Sequence, residues 1–513
     1  MHRSRTAQPL RRPQKGVSMA TPHSAQVAEK IVDKGDQGYD KALKRRHIQM
    51  IAIGGSIGTG LFLGAGGRIA DGGPALALSY AICGVFAFIM VRALGELSIR
   101  RPSSGAFVSY AREFMGEKGA FVTGWLFFLD WSTTVMADIT AVALYLHHWR
   151  FFQPIPQWSL AMTALALVFV LNMLSVKFFG EAEFWFAAIK VTAIVTFMVV
   201  AIWAILTGHA VANDTIPDAQ AGFSNWTNYG GFFPAGVGAM LMLTLGVVFA
   251  FGGTEMVGVA AGEAKNAREI LPKAVNSMIL RIFVFYVGSV ILMTLVLPWR
   301  AYSKNESPFV TFFSGIGVPH AGDIMQVVVL TAALSSLNAG LYATGRTLRS
   351  MAIAGEAPHF AGRLNRHKVP YGGIIITAVL GLFGVALNLI VPENAFSIVM
   401  NLAGIGIAGT WMSILVTHWI FIRRAAQGLD TRPEYRLFGA PYTNAATIIF
   451  LLVVIVSMAF DVNNGGPWTL ALFGLICLAM VIGWYSVRDR IRADKLDEIA
   501  IEEPADLASG ENS

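Results

Sequence analysis

Gly54-Gly55-Ser56-Ile57-Gly58-Thr59-Gly60 interrupts an apolar run that extends from about residue 48 to 69. Each glycine weakens a helix by roughly 1 kcal/mol, so four within seven residues make unwinding cheap. A second interruption, Phe251-Gly252-Gly253-Thr254-Glu255, falls inside the run from about 237 to 261. Unwound backbone in a bilayer is tolerated only where protein buries it or where it lines a cavity. Two broken apolar segments, one in each half of a chain, point to the binding site of a transporter. Close helix packing is the competing reading of the first break, because small residues at such spacing let membrane helices approach.

Working outward, the chain of 513 residues is 55% hydrophobic and 14% charged, with a mean hydropathy of +0.56. That composition excludes a soluble globule. Windows of about 19 residues give twelve predicted spans. Their limits are about 48–69, 74–98, 119–146, 157–176, 182–206, 237–261, 276–298, 322–353, 372–391, 396–422, 444–461 and 467–487. Of the 39 Lys and Arg residues, 33 fall on the side of the N-terminus and four on the other: Arg68, Arg150, Arg300 and Lys304. Arg92 and Lys190 lie within spans. This asymmetry predicts that both termini are cytoplasmic. It also accounts for the net charge of +7 without nucleic-acid binding. Cys83 and Cys477 both sit in spans and read as small apolar packing residues.

The expected organisation is a basic, disordered N-terminal tail over residues 1–40, a membrane domain over 41–490, and an acidic C-terminal tail over 491–513. Met19 would also serve as a start. Break one lies in span one and break two in span six, so the first ten spans divide into five plus five. Five crossings separate the breaks, so the halves, about 48–206 and 237–422, are inverted relative to each other. Helices over 444–487 are peripheral additions. The fold class is therefore an all-α integral membrane protein of about twelve transmembrane helices, with an inverted repeat and helices one and six broken. Asn225-Trp226-Thr227, in the loop of about 207–236, matches a glycosylation acceptor.

The chemistry of the breaks follows from helix termini. Unpaired N–H groups with partial positive charge suit a carboxylate, and carbonyls at the other half-helix end suit an ammonium. A zwitterionic amino acid needs both. Glu255 lies within a span, where a carboxylate is costly and faces the interior or a water cavity. Glu263 reads either as functional or as an interfacial charge paired with Lys265 or Arg268. Asp138 sits deep in span three, eight residues after Asp130, two turns along a similar face. It either serves a substrate amine or proton, or is a buried acid tied to a hydroxyl. Lys190 either loads and releases a proton in a dry environment or snorkels to the interface. Ser335 and Asn338 share a face of span eight and offer polar groups to a ligand or to another helix. His147-His148 look interfacial. There is no nucleotide-binding glycine loop, no His/Cys metal spacing and no nucleophile elbow, so no cofactor, metal or enzymatic activity is expected.

The run Met50 to Phe62 resembles the first-helix signature of the amino acid permeases of the amino acid–polyamine–organocation superfamily. So do Arg92 to Leu97, Pro102-Ser103-Ser104-Gly105, Phe251 to Gly258, Ala260 to Glu263 and Leu334 to Tyr342. Within that family, Gly64-Ala65-Gly66, Val108 to Phe114, Asp138 to Tyr145 and Ser307 to Phe313 are most similar to the bacterial L-asparagine permease subgroup. The resemblance implies proton-driven import of L-asparagine through a lipid bilayer by alternating access. Import of glutamine, an aromatic amino acid or GABA, amino acid exchange, or a nutrient-receptor role are the alternatives. It further implies that Ser56, Ile57, Gly58, Thr59 and Gly60 bind the substrate carboxylate, and the carbonyls of Ala250, Phe251 and Gly252 its amino group. Asp138 and Glu255 would line the path, with Lys190 as the proton-coupling residue. Many relatives carry glutamate where this chain has Asp138. The shorter acid leaves room in the pocket and is expected to bear on substrate choice.

Overall fold

A computed structural model of the chain describes residues 57–103, 106–174, 176–213, 215–217, 219–258 and 267–507. All of them belong to one unit, Asp33–Ser513. Among the described residues nine helices are long and apolar enough to cross a membrane, and two shorter apolar helices, Gln157–Asn172 and Gly236–Ala250, accompany them. One of the nine, Gly60–Arg100, contains two of the expected spans, because the turn joining them at Gly73–Ala75 is itself helical. Each of the twelve expected spans thus has its helix, the first seen from Ile57 onward. Helices are the outcome because apolar segments in lipid must satisfy every backbone N–H and C=O internally.

Counterpart helices of the two halves meet at the centre. Span one, a π-helical turn at Gly60–Gly64 followed by Ala65–Gly72, packs on span six, Gly236–Ala250. Span three, Ala106–Leu146 with a bend at Gly116, runs along span eight, Ala321–Ile353, and span ten, Ala395–Ala426. Spans three and ten are the most enclosed. Span eleven, Tyr442–Ser457, and span twelve, Gly466–Leu507, expose residues such as Val456, Leu475 and Ile482. That is the pattern of peripheral, lipid-facing helices.

Four local features depart from expectation. A helix at Pro308–Gly315, between spans seven and eight, has no counterpart among the twelve spans. Being eight residues long it cannot cross a bilayer. Its Phe309 instead packs on Phe62 of span one and Phe197 of span five, with ring centroids 4.9 and 4.8 Å apart. Arg68, expected on the side of the membrane opposite the N-terminus, is buried. It donates to Asn401 Oδ1 at 2.8 Å and faces Asp461 at 3.6 Å, so charge pairing holds it inside the bundle. The acidic segment expected as a tail is helical as far as Leu507, in keeping with the helix propensity of its Ala, Leu, Lys and Glu residues. Asn225 is 2% exposed, and its amide donates to the carbonyls of Gln220 and Leu295, so it is no glycosylation acceptor in this fold.

At the predicted cytoplasmic end, the buried Glu96 carboxylate of span two collects four donors. They are Arg432 Nε at 2.7 Å, Arg432 Nη2 at 3.0 Å, the Leu437 N–H at 2.7 Å and His418 Nε2 at 3.0 Å. This ties span two to span ten and to the segment that follows it.

Candidate functional site

The two breaks touch. A Cβ placed on Gly60 would lie 2.5 Å from the Ala250 Cα, so only glycine lets the two backbones come this close. On the first break, the Gly58 carbonyl accepts the N–H groups of Leu61 and Phe62, both at 3.2 Å. The N–H groups ahead of these two, at the very start of the helix, are the ones that a helix leaves without an intrahelical acceptor. Gly54, Gly55 and Ser56 lie outside the described residues, as does Glu263. On the second break, span six ends at Ala250 and turns through Gly253, whose φ of 87° is a conformation that glycine adopts without strain.

Each break is held by an acid. Glu255 Oε1 accepts the Gly253 N–H at 3.0 Å, and its Oε2 accepts Trp411 Nε1–H of span ten at 3.3 Å. Thr59 Oγ1 donates to Asp138 Oδ1 at 2.7 Å, and the Ser336 hydroxyl faces the same carboxylate. Both acids are fully buried. They act on the loops rather than standing free in a channel.

Between the breaks lies a cavity of about 20 Å³. Gly58, Thr59 and Gly60 form one wall, and Phe249, Ala250, Gly252 and Gly253 form the facing wall. Asp130, Trp131 and Thr134 of span three and Ser336 of span eight close it. A water needs about 10–15 Å³, so the space holds one small molecule of that size and no amino acid. Admitting a larger ligand requires the walls to part. The chemistry of those walls is asymmetric. A helix N-terminus faces the end of span six, where the Phe251 carbonyl is engaged by the Thr254 N–H at 3.3 Å.

The remaining candidates separate into two groups. Ile57 is buried in the apolar core beside the first break, and the Phe251 ring stacks on Tyr286 at 4.8 Å, away from the cavity. Lys190 is 1% exposed, so it does not snorkel; Asp138 and Glu183 are its charged partners. Ser335 donates to both oxygens of Glu183 at 2.9 Å. Asn338 accepts from the Asn172 amide of span four at 2.8 Å. Span eight therefore presents Ser336 to the cavity, and turns Ser335 and Asn338 to other helices. Ser336, Thr134, Trp131, Trp411 and Glu183 were not singled out in the sequence. A 100° advance per residue would have put Ser336 on a different face from Ser335, but nothing in the pattern says which face is inward. Among the described residues no group of three His, Cys, Asp or Glu side chains could hold a metal ion.

The family model described as amino acid permease matches residues 47–500. An L-asparagine permease of Streptomyces coelicolor is 55% identical over 459 residues, covering 90% of this chain and 93% of its own. An L-asparagine permease of Escherichia coli is 53% identical over 456 residues, covering 89% of this chain and 90% of its own. L-asparagine permease 1 of Mycobacterium tuberculosis is 51% identical over 458 residues, covering 89% and 92%. A solved structure of a manganese transporter variant from Eremococcus coleocola superposes with a TM-score of 0.55 over 88% of this chain and 95% of that one. At 15% identity it shares the fold.

Proposed function

Since the chain belongs to the amino acid permease family, we propose that it imports L-asparagine together with protons by alternating access. One observation carries the reading of the site: the Gly60 backbone lies directly against Ala250, so a helix N-terminus and the carbonyl end of another half-helix share one cavity. The N–H groups of Gly58 to Gly60 suit the substrate carboxylate. The carbonyls of Ala250 and Gly252 suit its ammonium group. Ser336 and Thr134 stand at the rim for a polar side chain, and Asp138 fixes the shape of the first break through Thr59.

The relatives named as L-asparagine permeases support that amino acid as the cargo. The small volume between the breaks fits a carrier that closes around or behind its substrate, since a permanent pore would leave an open path. Such a carrier changes nothing it moves, so no enzymatic role is assigned. Lys190, buried against Asp138, is the proton-coupling residue: charging and discharging it alters what the neighbourhood of break one must balance. The lysine and arginine asymmetry supports a multi-pass protein of the cytoplasmic membrane with both termini inside.

Radiolabelled L-asparagine uptake, challenged with an excess of each other amino acid, tests the cargo. Asparagine should enter and compete best. Entry of glutamine, an aromatic amino acid or GABA without entry of asparagine would sink the substrate assignment and leave the fold intact.

A further inference from the structure

Span five carries a buried acid, Glu183, seven positions before Lys190. Seven residues make about two turns, so the two side chains leave the same face, roughly 10 Å apart along the axis. Helical side chains lean towards the N-terminus of their helix, which carries the long Lys190 stem down towards Glu183. The groups that face Glu183 are the Lys190 ammonium from its own helix and the Ser335 hydroxyl from span eight. Lys190 in turn has two charged partners, Glu183 and Asp138, and Asp138 accepts the Thr59 hydroxyl of the first break.

We propose that Glu183 is the acceptor through which the coupling proton leaves Lys190 for the cytoplasm, an inference that rests on the proton-symport reading above. The step breaks an Nζ–H bond of Lys190 and forms an O–H bond on Glu183. The ammonium becomes an amine, the carboxylate becomes a carboxylic acid, and both are neutral. Water at the predicted cytoplasmic start of span five then takes the proton and restores the carboxylate.

Three observations favour a relay over a packing role. An ionisable residue inside a membrane segment is costly and marks an ion or proton pathway by default. Lys190 has two charged partners, Asp138, which is bonded to the first break through Thr59, and Glu183, which lies two turns nearer the start of span five. Span eight also touches both of these acids through adjacent residues, Ser336 at Asp138 and Ser335 at Glu183. A substrate that displaces Ser336 therefore acts on the hydrogen bond that holds Glu183.

The test uses the full-length protein in proteoliposomes, comparing wild type with Glu183→Gln and Glu183→Asp. Three readouts are needed: accumulation of labelled L-asparagine under an inward proton gradient, counterflow at equal pH, and entry of protons reported by an internal dye. Glu183→Gln should lose accumulation and proton entry by at least about tenfold, since a proton-transfer group is typically worth about 10²–10⁴-fold in rate. Its counterflow, which requires no net proton release, should stay within about twofold of wild type. Glu183→Asp should keep partial accumulation. If Glu183→Gln accumulates as wild type does, the relay is wrong while symport stands. If folded Glu183→Gln loses counterflow as well, Glu183 is a structural member of the moving bundle and the relay is again wrong. Should Glu183→Gln fail to fold, Glu183→Asp decides: accumulation reduced more than counterflow supports the relay, and accumulation and counterflow both at the wild-type level, or both lost together, would overturn it. A wild type that never accumulates asparagine under the gradient removes the symport reading and the relay together.

Discussion

The hydroxyl of Thr59 donates to the carboxylate of Asp138 at 2.7 Å, joining residues 79 positions apart in the buried centre of the bundle. This bond couples the first break to span three, so it sets the shape of the wall that faces the substrate. Thr59→Val keeps the volume and removes the donor. Leaving a buried carboxylate short of a hydrogen bond costs about 1–3 kcal/mol. Affinity for L-asparagine should fall by roughly 10- to 100-fold, and Thr59→Ser should recover most of it. Equilibrium binding to purified protein measures both, and unchanged affinity in the valine variant would detach Asp138 from the site.

Gly60 and Ala250 make the closest approach of the two breaks. Gly60→Ala drives a methyl group into the Ala250 backbone, and overpacking of this kind costs about 1–3 kcal/mol. Thermal unfolding in detergent should shift down, and uptake should be lost because the walls can no longer close on a ligand. Ala250→Gly should not rescue it, since the colliding atom is the Cα, which remains. A stable, active Gly60→Ala protein would show that the two breaks do not pack this closely.

Adjacent serines on span eight should behave differently. Ser336 lines the cavity and Ser335 serves Glu183. Ser336→Ala is expected to raise the KM for asparagine by about tenfold, the worth of one hydrogen bond of 1.4 kcal/mol. Ser335→Ala should change KM far less. Uptake kinetics decide, and the reverse order would reverse the assignment of the two faces.

Glu96 gathers donors from Arg432, His418 and the Leu437 backbone. Glu96→Ala strands a buried histidine and a half-buried guanidinium, and breaking such a pair costs about 3–5 kcal/mol. The melting temperature should drop well below that of Glu96→Gln, which keeps part of the hydrogen bonding. Equal stability of the two variants would mean that solvent already reaches this cluster.

The broken helices, the twelve spans and the placement of Lys190 and Asp138 within them were legible in the sequence, because glycine clusters and intramembrane charges are expensive enough to demand a reason; that Lys190 is buried rather than snorkelling was not. What stayed hidden was relational. Ser335 and Ser336 are chemically identical, and which one faces inward depends on how span eight rotates against spans three and five. Glu183 lies near the start of span five, where a carboxylate reads as interfacial until the fold buries it. The helix at Pro308–Gly315 is too short to register as a span. Glu255 was expected to line the path, whereas its carboxylate turns back to cap its own loop through the Gly253 N–H. That bond depends on the local turn and leaves no trace in residue spacing.

Accumulation of labelled L-asparagine in proteoliposomes, with and without an inward proton gradient and with Lys190→Ala alongside wild type, is the most direct measurement. Wild type should concentrate asparagine above equilibrium only with the gradient. Lys190→Ala should lose that concentration by about tenfold or more and retain exchange at equal pH. Normal accumulation by Lys190→Ala, or wild-type import that requires preloaded amino acid and ignores the gradient, would contradict proton symport through this lysine.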